Sequence, residues 1–299
     1  MKRKINIFYL LLFFVSFILS CTKDKRVEID LPFEPDKIVL NSLITSDSII
    51  YAKVTNSTQL YNINGFSIPP GAAIGLYEND VFKEMMTEVT FNSVKYFVSS
   101  IKAKEGKTYT LKASANNMDD AEGSDIVPSK PFVHGVKLTK VGDNAYKAQI
   151  KLHDKIDETN FYRLRIFKAG MNNMNQLEIN RADYFSFTLV NFDLNPPSIS
   201  GDEQELANFF TDEKFSGKQL TLDINFDYYS DELNYVAIEL VNLTPDAYKY
   251  LKSVNQQGSK EGDPLSEAVI VYNNIRNGYG IVGGMADTMV VIKKAINDF

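Results

Sequence analysis

The run Ile38-Val39-Leu40-Asn41-Ser42-Leu43-Ile44, then Thr45-Ser46-Asp47-Ser48, then Ile49-Ile50-Tyr51-Ala52-Lys53-Val54 decides the fold class. Both flanks are rich in β-branched residues, which suit a pleated, half-buried strand, and the four residues between them have the composition of a tight turn. They predict a strand pair. A second pair is expected at residues 73–77 and 81–85 around Asn79-Asp80, and further strands at 96–98 and 109–115, where Tyr109, Leu111 and Ala113 alternate with Thr110 and Lys112. Short strands spaced by turns imply an immunoglobulin-like β-sandwich over residues 37–128.

Residues 116–130 interrupt this pattern with polar and acidic residues, Gly123 and the stretch from Pro128 to Pro131. This is read as a boundary, with a long loop inside one domain as the alternative. Strands resume at 135–141, 145–152 and 160–168, the last setting Tyr162, Leu164 and Ile166 on one face against Arg163, Arg165 and Phe167 on the other. Two more follow at 219–226 and 234–243. Two short helices are expected: residues 202–210, with acidic residues in the first turn, and a helix opened by Thr244-Pro245-Asp246 and running to about residue 257. Asn277 to Gly284 is expected to form tight turns before a last strand at 288–292. The fold class is therefore mainly β: the sandwich, then a second β-rich domain with two short helices over residues 129–299.

At the start of the chain, Lys2, Arg3 and Lys4 precede an apolar run from Ile5 to Leu19. As a helix this run would span roughly 22 Å against a hydrocarbon core of about 30 Å, so it is read as a cleaved signal over residues 1–20. Ile18-Leu19-Ser20-Cys21 resembles the bacterial lipobox. Cys21, the one cysteine of the chain, has no partner for a disulfide and no motif for metal or redox work, and is expected to carry lipid. Residues 21–36, charged and containing Pro32 and Pro35, form the tether. Loss of Lys2, Arg3 and Lys4 takes the formal charge from −6 to −9. An acidic tethered protein is a poor ligand for nucleic acid or anionic headgroups, so no nucleic-acid partner is expected, and the membrane is met through the lipid.

Catalytic signatures are scarce. His134 and His153 lack HExxH spacing and are read as surface or edge residues, and no GxSxG elbow, GxxxxGK[ST] loop or GxGxxG fingerprint is present. Acidic neighbours such as Asp212-Glu213 offer a carboxylate pair, but adjacent acids more often serve solvation. No catalytic residue, cofactor or metal is assigned. Twenty Phe and sixteen Tyr without any Trp leave binding the easier expectation. Contact is expected at Tyr61, Phe66, Tyr184, Tyr228 and Tyr229, where neighbouring aromatics cannot all point inward from one strand, although a strand buried on both faces would accommodate them equally.

Several segments together resemble one family: the lipobox, the opening strand from Lys37 to Thr45, Phe210-Thr211-Asp212-Glu213-Lys214-Phe215-Ser216-Gly217-Lys218, Pro264-Leu265-Ser266-Glu267-Ala268, and the run from Tyr272 to Gly284. The chain resembles the domain of unknown function 4249 family of Bacteroidota outer-membrane lipoproteins. Val282 stands where that family usually shows Phe. Asp47-Ser48-Ile49 and Asp287-Thr288-Met289 are similar to the short O-glycosylation sequon of that phylum, marking Ser48 and Thr288. The resemblance implies an envelope lipoprotein, often encoded beside a TonB-dependent transporter, with no established catalytic residues. The expected function is a non-enzymatic accessory or ligand-binding partner of such a transporter. The alternative is a stand-alone adhesion or glycan-binding module. An outer-membrane location, facing the cell surface rather than the periplasm, follows from the same reading.

Overall fold

The opening stretch forms β1 (Ile38–Thr45) and β2 (Ile49–Asn56), antiparallel from Ile38↔Asn56 to Asn41↔Lys53. The turn between them closes with the Ser48 N–H donating to the Thr45 carbonyl at 3.2 Å and Asp47 at a φ of 60°, a conformation that short polar side chains tolerate. Alternation along β1 buries Ile38, Leu40, Ser42 and Ile44. The computed structural model describes residues 35–57, 67–156, 158–190, 207–229, 233–260, 267 and 269–294. Among them are seventeen strands and one helix, so the chain is mainly β.

The remaining strands are β3 (Ala73–Glu78), β4 (Val81–Met85), β5 (Thr87–Phe91), β6 (Val94–Lys102), β7 (Thr108–Ser114), β8 (Ala121–Ile126), β9 (Phe132–Lys140), β10 (Ala145–His153), β11 (Phe161–Met171), β12 (Leu177–Tyr184), β13 (Phe187–Leu189), β14 (Asn208–Thr211), β15 (Gln219–Asp227), β16 (Tyr235–Leu243) and β17 (Tyr279–Lys293). Helix α1 (Pro245–Lys260) lies between the last two. A large sheet runs β12-β11-β16-β17-β1-β2-β6-β5, with β14 also on β11; two four-stranded sheets run β13-β15-β10-β9 and β4-β3-β7-β8.

Both small sheets cover the same face of the large one, because the inward residues of β1, β16 and β17 are all even-numbered and pair in register: Leu40↔Gly280, Ile238↔Val290 and Leu240↔Thr288. One core packs Ile150, Leu164, Ile166, Ile224, Ile238 and Leu240. The other packs Leu40, Val54, Ile74 and Leu111 and is completed from the far end of the chain by Ile275 and Val282. β17 joins the halves. It runs antiparallel to β16 over Met285–Lys293 and parallel to β1 over Tyr279–Met285. On the opposite face, α1 packs Ala247, Tyr248 and Leu251 onto Leu43, Val241, Leu243 and Met285. The helix starts as read: Thr244 caps it, its Oγ1 accepting from the Ala247 N–H at 3.2 Å.

Three expectations are corrected. The helix at 202–210 is not formed at its described end, since Asn208–Thr211 is strand β14, pairing β11 from Phe161↔Thr211 to Leu164↔Asn208; residues 202–206 lie outside the described residues. One helix, not two, is therefore present among those residues. The segment 116–130 does not interrupt the β pattern throughout, as a boundary or a long loop would: it contains β8, which pairs with β7 from Thr108↔Ile126 to Ala113↔Ala121. The turn expected over Asn277 to Gly284 is confined to Asn277-Gly278; the last strand begins at Tyr279, so Gly280, Gly283 and Gly284 sit inside it and not in turns before it.

Candidate functional site

The run from Tyr272 to Gly284 is a packing device. Asn274 imitates a strand partner: its Nδ2 donates to the Val282 carbonyl at 2.8 Å, and the Val282 N–H donates to its Oδ1 at 3.0 Å. The same Nδ2 reaches Asp246 Oδ2 at 3.0 Å, while the Tyr272 hydroxyl donates to Asp246 Oδ1 at 2.6 Å, so one carboxylate in the first turn of α1 holds both. The Tyr272 hydroxyl is pushed up to about 12 by burial and by that carboxylate. Glycine is required where backbones cross. A Cβ on Gly284 would overlap the Ile126 carbonyl oxygen, and one on Gly280, at a φ of 113°, the Leu40 carbonyl oxygen. The Gly284 N–H donates to Asp125 Oδ2 at 2.8 Å, and Thr244 Oγ1 donates to the same oxygen. Burial raises the Asp125 pKa above the usual carboxylate range.

Beside the core that packs Ile150 and Leu164, Ser129, Pro131, Phe132, His153, Lys155, Asn160, Tyr162 and Asn242 line a cleft of about 140 Å³. Asn242 continues the inward stripe Val236, Ile238, Leu240 of β16, so an amide stands where the pattern calls for an aliphatic. It is 4% exposed. Its Nδ2 donates to the Ser129 carbonyl and to Asn160 Oδ1, both at 3.1 Å, and its Oδ1 has no partner. The orientation is forced from both ends. The Ser129 carbonyl can only accept, and Asn160 turns its own Nδ2 toward Asp212 Oδ2, at 3.4 Å. A buried acceptor left unpaired costs about 1–3 kcal/mol. Below the cleft, the Tyr162 hydroxyl donates to buried Asp154 at 2.6 Å, and Asp154 also takes the Gly217 N–H at 2.9 Å. Burial, then Asp154, raises the Tyr162 pKa far above its ordinary value.

A charged cluster lies on the other face of the large sheet. Glu239, with a side chain 3% exposed, meets Arg163 at 3.4 Å, Arg165 at 2.6 Å and Arg181 at 3.2 Å. It ties β16 to β11 and β12. Burial, then the like charge of Arg165, lowers the Arg163 pKa to about 10.

The residues singled out from sequence fall into different places. Cys21, Tyr61 and Phe66 lie outside the described residues, and of Tyr184 only its place in β12 is described. Its neighbours Phe185 and Phe187 are core. Tyr228 packs against the same core, edge-on to Phe185 at 5.7 Å. Tyr229 is 77% exposed. Ser48 is exposed on its turn, whereas Thr288 is half-buried and donates its hydroxyl to the Pro131 carbonyl at 2.7 Å. Asp212 and Glu213 do not converge: Asp212 is buried and accepts the Asn160 N–H at 2.8 Å, while Glu213 is exposed on the following turn. His134 and His153 lie near one edge strand, His134 stacked on Phe132 and bonded to Gln219 Oε1 at 3.0 Å.

Sequence reading missed an aromatic face. Register places Tyr51, Val98 and Thr87 in one row across β2, β6 and β5, with Tyr96 opposite Val89 and Val94 opposite Phe91 beside it. Tyr51 and Tyr96 meet edge-on at 6.2 Å, and Phe91 is 68% exposed. The signal was the alternation Val94, Tyr96, Val98, which looks like a buried face until the sheet shows nothing packed on it among the described residues.

No curated protein matches this chain. A crystal structure of the collagen adhesin from S. aureus aligns over 86% of this chain and 95% of its own, at 6% identity and a TM-score of 0.23, a likeness too slight to argue from. The segments that build the β1–β17 joint, the α1 contact and the Phe210 to Lys218 turn are the ones that carried the family resemblance. The model of the domain of unknown function DUF4249 matches residues 24–290, and the chain belongs to that family.

Proposed function

We propose that this protein is a non-enzymatic, lipid-anchored accessory subunit that docks a TonB-dependent nutrient receptor in the outer membrane. The observation that supports it best is the aromatic end of the large sheet, uncovered among the described residues, where Ile49, Tyr51, Val89 and Phe91 stand exposed on strands that elsewhere bury such residues. Contiguous exposed apolar surface of this kind marks a contact site, and aromatic side chains dominate binding energy at such sites. β5 is also the terminal strand of its sheet, all five of its residues are exposed, and it carries no proline or bulge to blunt its outer edge, so a receptor strand can add to it. A lipid on Cys21 and a short tether confine the docking face to the membrane and raise its effective concentration for a receptor there. The cell surface is the side on which such a subunit meets incoming nutrient.

Within this reading the N-terminal half is a variant immunoglobulin-like sandwich, supported by the two facing sheets β1-β2-β6-β5 and β4-β3-β7-β8 around one core.

The experiment is an affinity pull-down of the tagged full chain from gently solubilised native membranes, with mass spectrometry of the eluate. A stoichiometric TonB-dependent receptor is expected, lost with Tyr51→Ala plus Phe91→Ala although that variant folds; Cys21→Ala is expected to leave the membrane fraction altogether. Recovery of the wild-type protein alone overturns the proposal.

A further inference from the structure

We propose that Arg165 and Arg181, on the outward face of the large sheet, bind a phosphate group. They stand at the β11–β12 end, opposite the aromatic end at β2, β6 and β5, so the inference is independent of the docking proposal.

Charge balance comes first. Glu239 meets the guanidiniums of Arg163, Arg165 and Arg181, and among the described residues no second carboxylate is paired with any of the three. The cluster therefore carries a surplus of two positive charges. The Glu239 side chain is 3% exposed, against 32% for Arg165 and 60% for Arg181. The carboxylate is the floor, and what solvent meets is guanidinium. Asp287 also favours the charged form of Arg163, but register puts it in the row of Arg163 and Val241, beside the row of Arg165 and Glu239. The surplus is felt within the cluster, since the charge of Arg165 works against that of Arg163.

Both exposed guanidiniums are held in place. Arg165 donates from Nε at 2.7 Å and from Nη2 at 2.6 Å to Glu239 Oε2, and it lies over the Phe167 ring, 5.0 Å from the centroid. Arg181 donates from Nη1 to the other oxygen, Oε1, at 3.2 Å. Each guanidinium has five N–H donors, so the Nη1 of Arg165 and the Nε and Nη2 of Arg181 keep donors for a ligand. Arg181 sits on a bulge: Asn180 pairs with Lys168 while Tyr184 pairs with the adjacent Phe167, so residues 181–183 have no opposite number on β11. Bulges re-aim side chains, and here Arg181 is brought onto Glu239, next to Arg165.

The arrangement selects a compact anion with two charges and several acceptor oxygens. A phosphate monoester has both, with close to two negative charges at neutral pH and three terminal oxygens, and guanidinium forks match it. A carboxylate has one charge and two oxygens and satisfies half of the surplus. The chain as a whole is acidic, at −6, which opposes anions at a distance, so capture depends on contact and not on steering. The phosphate arrives on a free small molecule or as a lipid headgroup, and the recognition chemistry is the same.

The test is isothermal titration calorimetry of the full chain in non-ionic detergent micelles at constant ionic strength. The probes are methyl phosphate and dihexanoyl phosphatidic acid; acetate, dihexanoyl phosphatidylcholine and empty micelles are the controls. Saturable binding of a phosphate probe is expected, at least tenfold tighter than either control ligand. Binding of methyl phosphate supports a site for free phosphate esters, and binding of phosphatidic acid alone supports a headgroup site. Arg181→Ala and Arg181→Gln, at an exposed position, are each expected to weaken binding about tenfold while the unfolding midpoint stays near that of wild type. Arg276→Ala, which removes the exposed partner of Glu122 elsewhere, is expected to leave binding unchanged. Absence of saturable binding by both phosphate probes, acetate binding equally well, or binding unaffected by both Arg181 variants overturns the proposal.

Discussion

Replacing Gly284 by alanine separates two accounts of the family's glycine-rich run. The added Cβ would overlap the Ile126 carbonyl oxygen and come within 3.2 Å of Thr244 Cγ2. Neither neighbour yields easily, since one is backbone in β8 and the other is the cap of α1. For β17 to withdraw, the Gly284 N–H must leave Asp125, and the Gly284 carbonyl must leave the Thr244 N–H it now accepts at 3.1 Å. Two buried polar groups left without partners at about 1–3 kcal/mol each give a loss of about 4 kcal/mol. That is a large share of the roughly 5–15 kcal/mol that holds a domain together. Urea unfolding followed by far-UV circular dichroism reads it, there being no tryptophan to follow. Gly258→Ala is the control: the site is in exposed helix with nothing within 4 Å of a Cβ, so the change is expected to stabilise by about 1 kcal/mol. If Gly284→Ala unfolds within about 1 kcal/mol of wild type, the run is not the packing joint described here, and a ligand-loop role regains its place.

Glu239→Gln is expected to cost about 3–5 kcal/mol, because it leaves the buried Arg163 guanidinium without its countercharge; the exposed Arg181→Ala should cost under about 1 kcal/mol, and equal losses from the two in urea titrations would refute the assignment. Asp125 gives a pH prediction. Its folded-state pKa is raised, so its ionised form costs stability at neutral pH, and that cost fades as pH falls through the raised value toward the ordinary one. The stability of wild type relative to Asp125→Asn should therefore improve between neutral pH and about pH 4; a difference that stays flat or worsens sinks the argument.

Local pattern carried much of the fold. The β1–β2 pair, the β3–β4 pair with its Asn79-Asp80 turn, the alternation of β11 and the Thr244-Pro245-Asp246 helix start were all legible, because each depends on neighbours a few residues away. β8 was not, since Glu122-Gly123-Ser124-Asp125 has the composition of a loop; it is a strand because β7 pairs with it and because Gly123 leaves room for Ile275 and Val282. β14 was mistaken for helix because acidic residues before Asn208-Phe209-Phe210 imitate a helix start, while the outcome is set by β11. In the candidate cleft, the amide at Asn242 was visible as a break in the stripe Val236, Ile238, Leu240. Its meaning was not, since Ser129 and Asn160 come from distant parts of the chain.

The sequence by itself determined that the chain is mainly β, that it is acidic, which family it joins, and which faces of its long strands turn inward. Only the tertiary structure decided that β17 crosses to β1 and so completes the N-terminal core with Val282, that the glycines serve crossing backbones, and that the Tyr51 and Phe91 face is left uncovered among the described residues. The reason is physical. Periodicity and turn chemistry are properties of a short segment, whereas burial and pairing depend on which distant segment arrives on the other side.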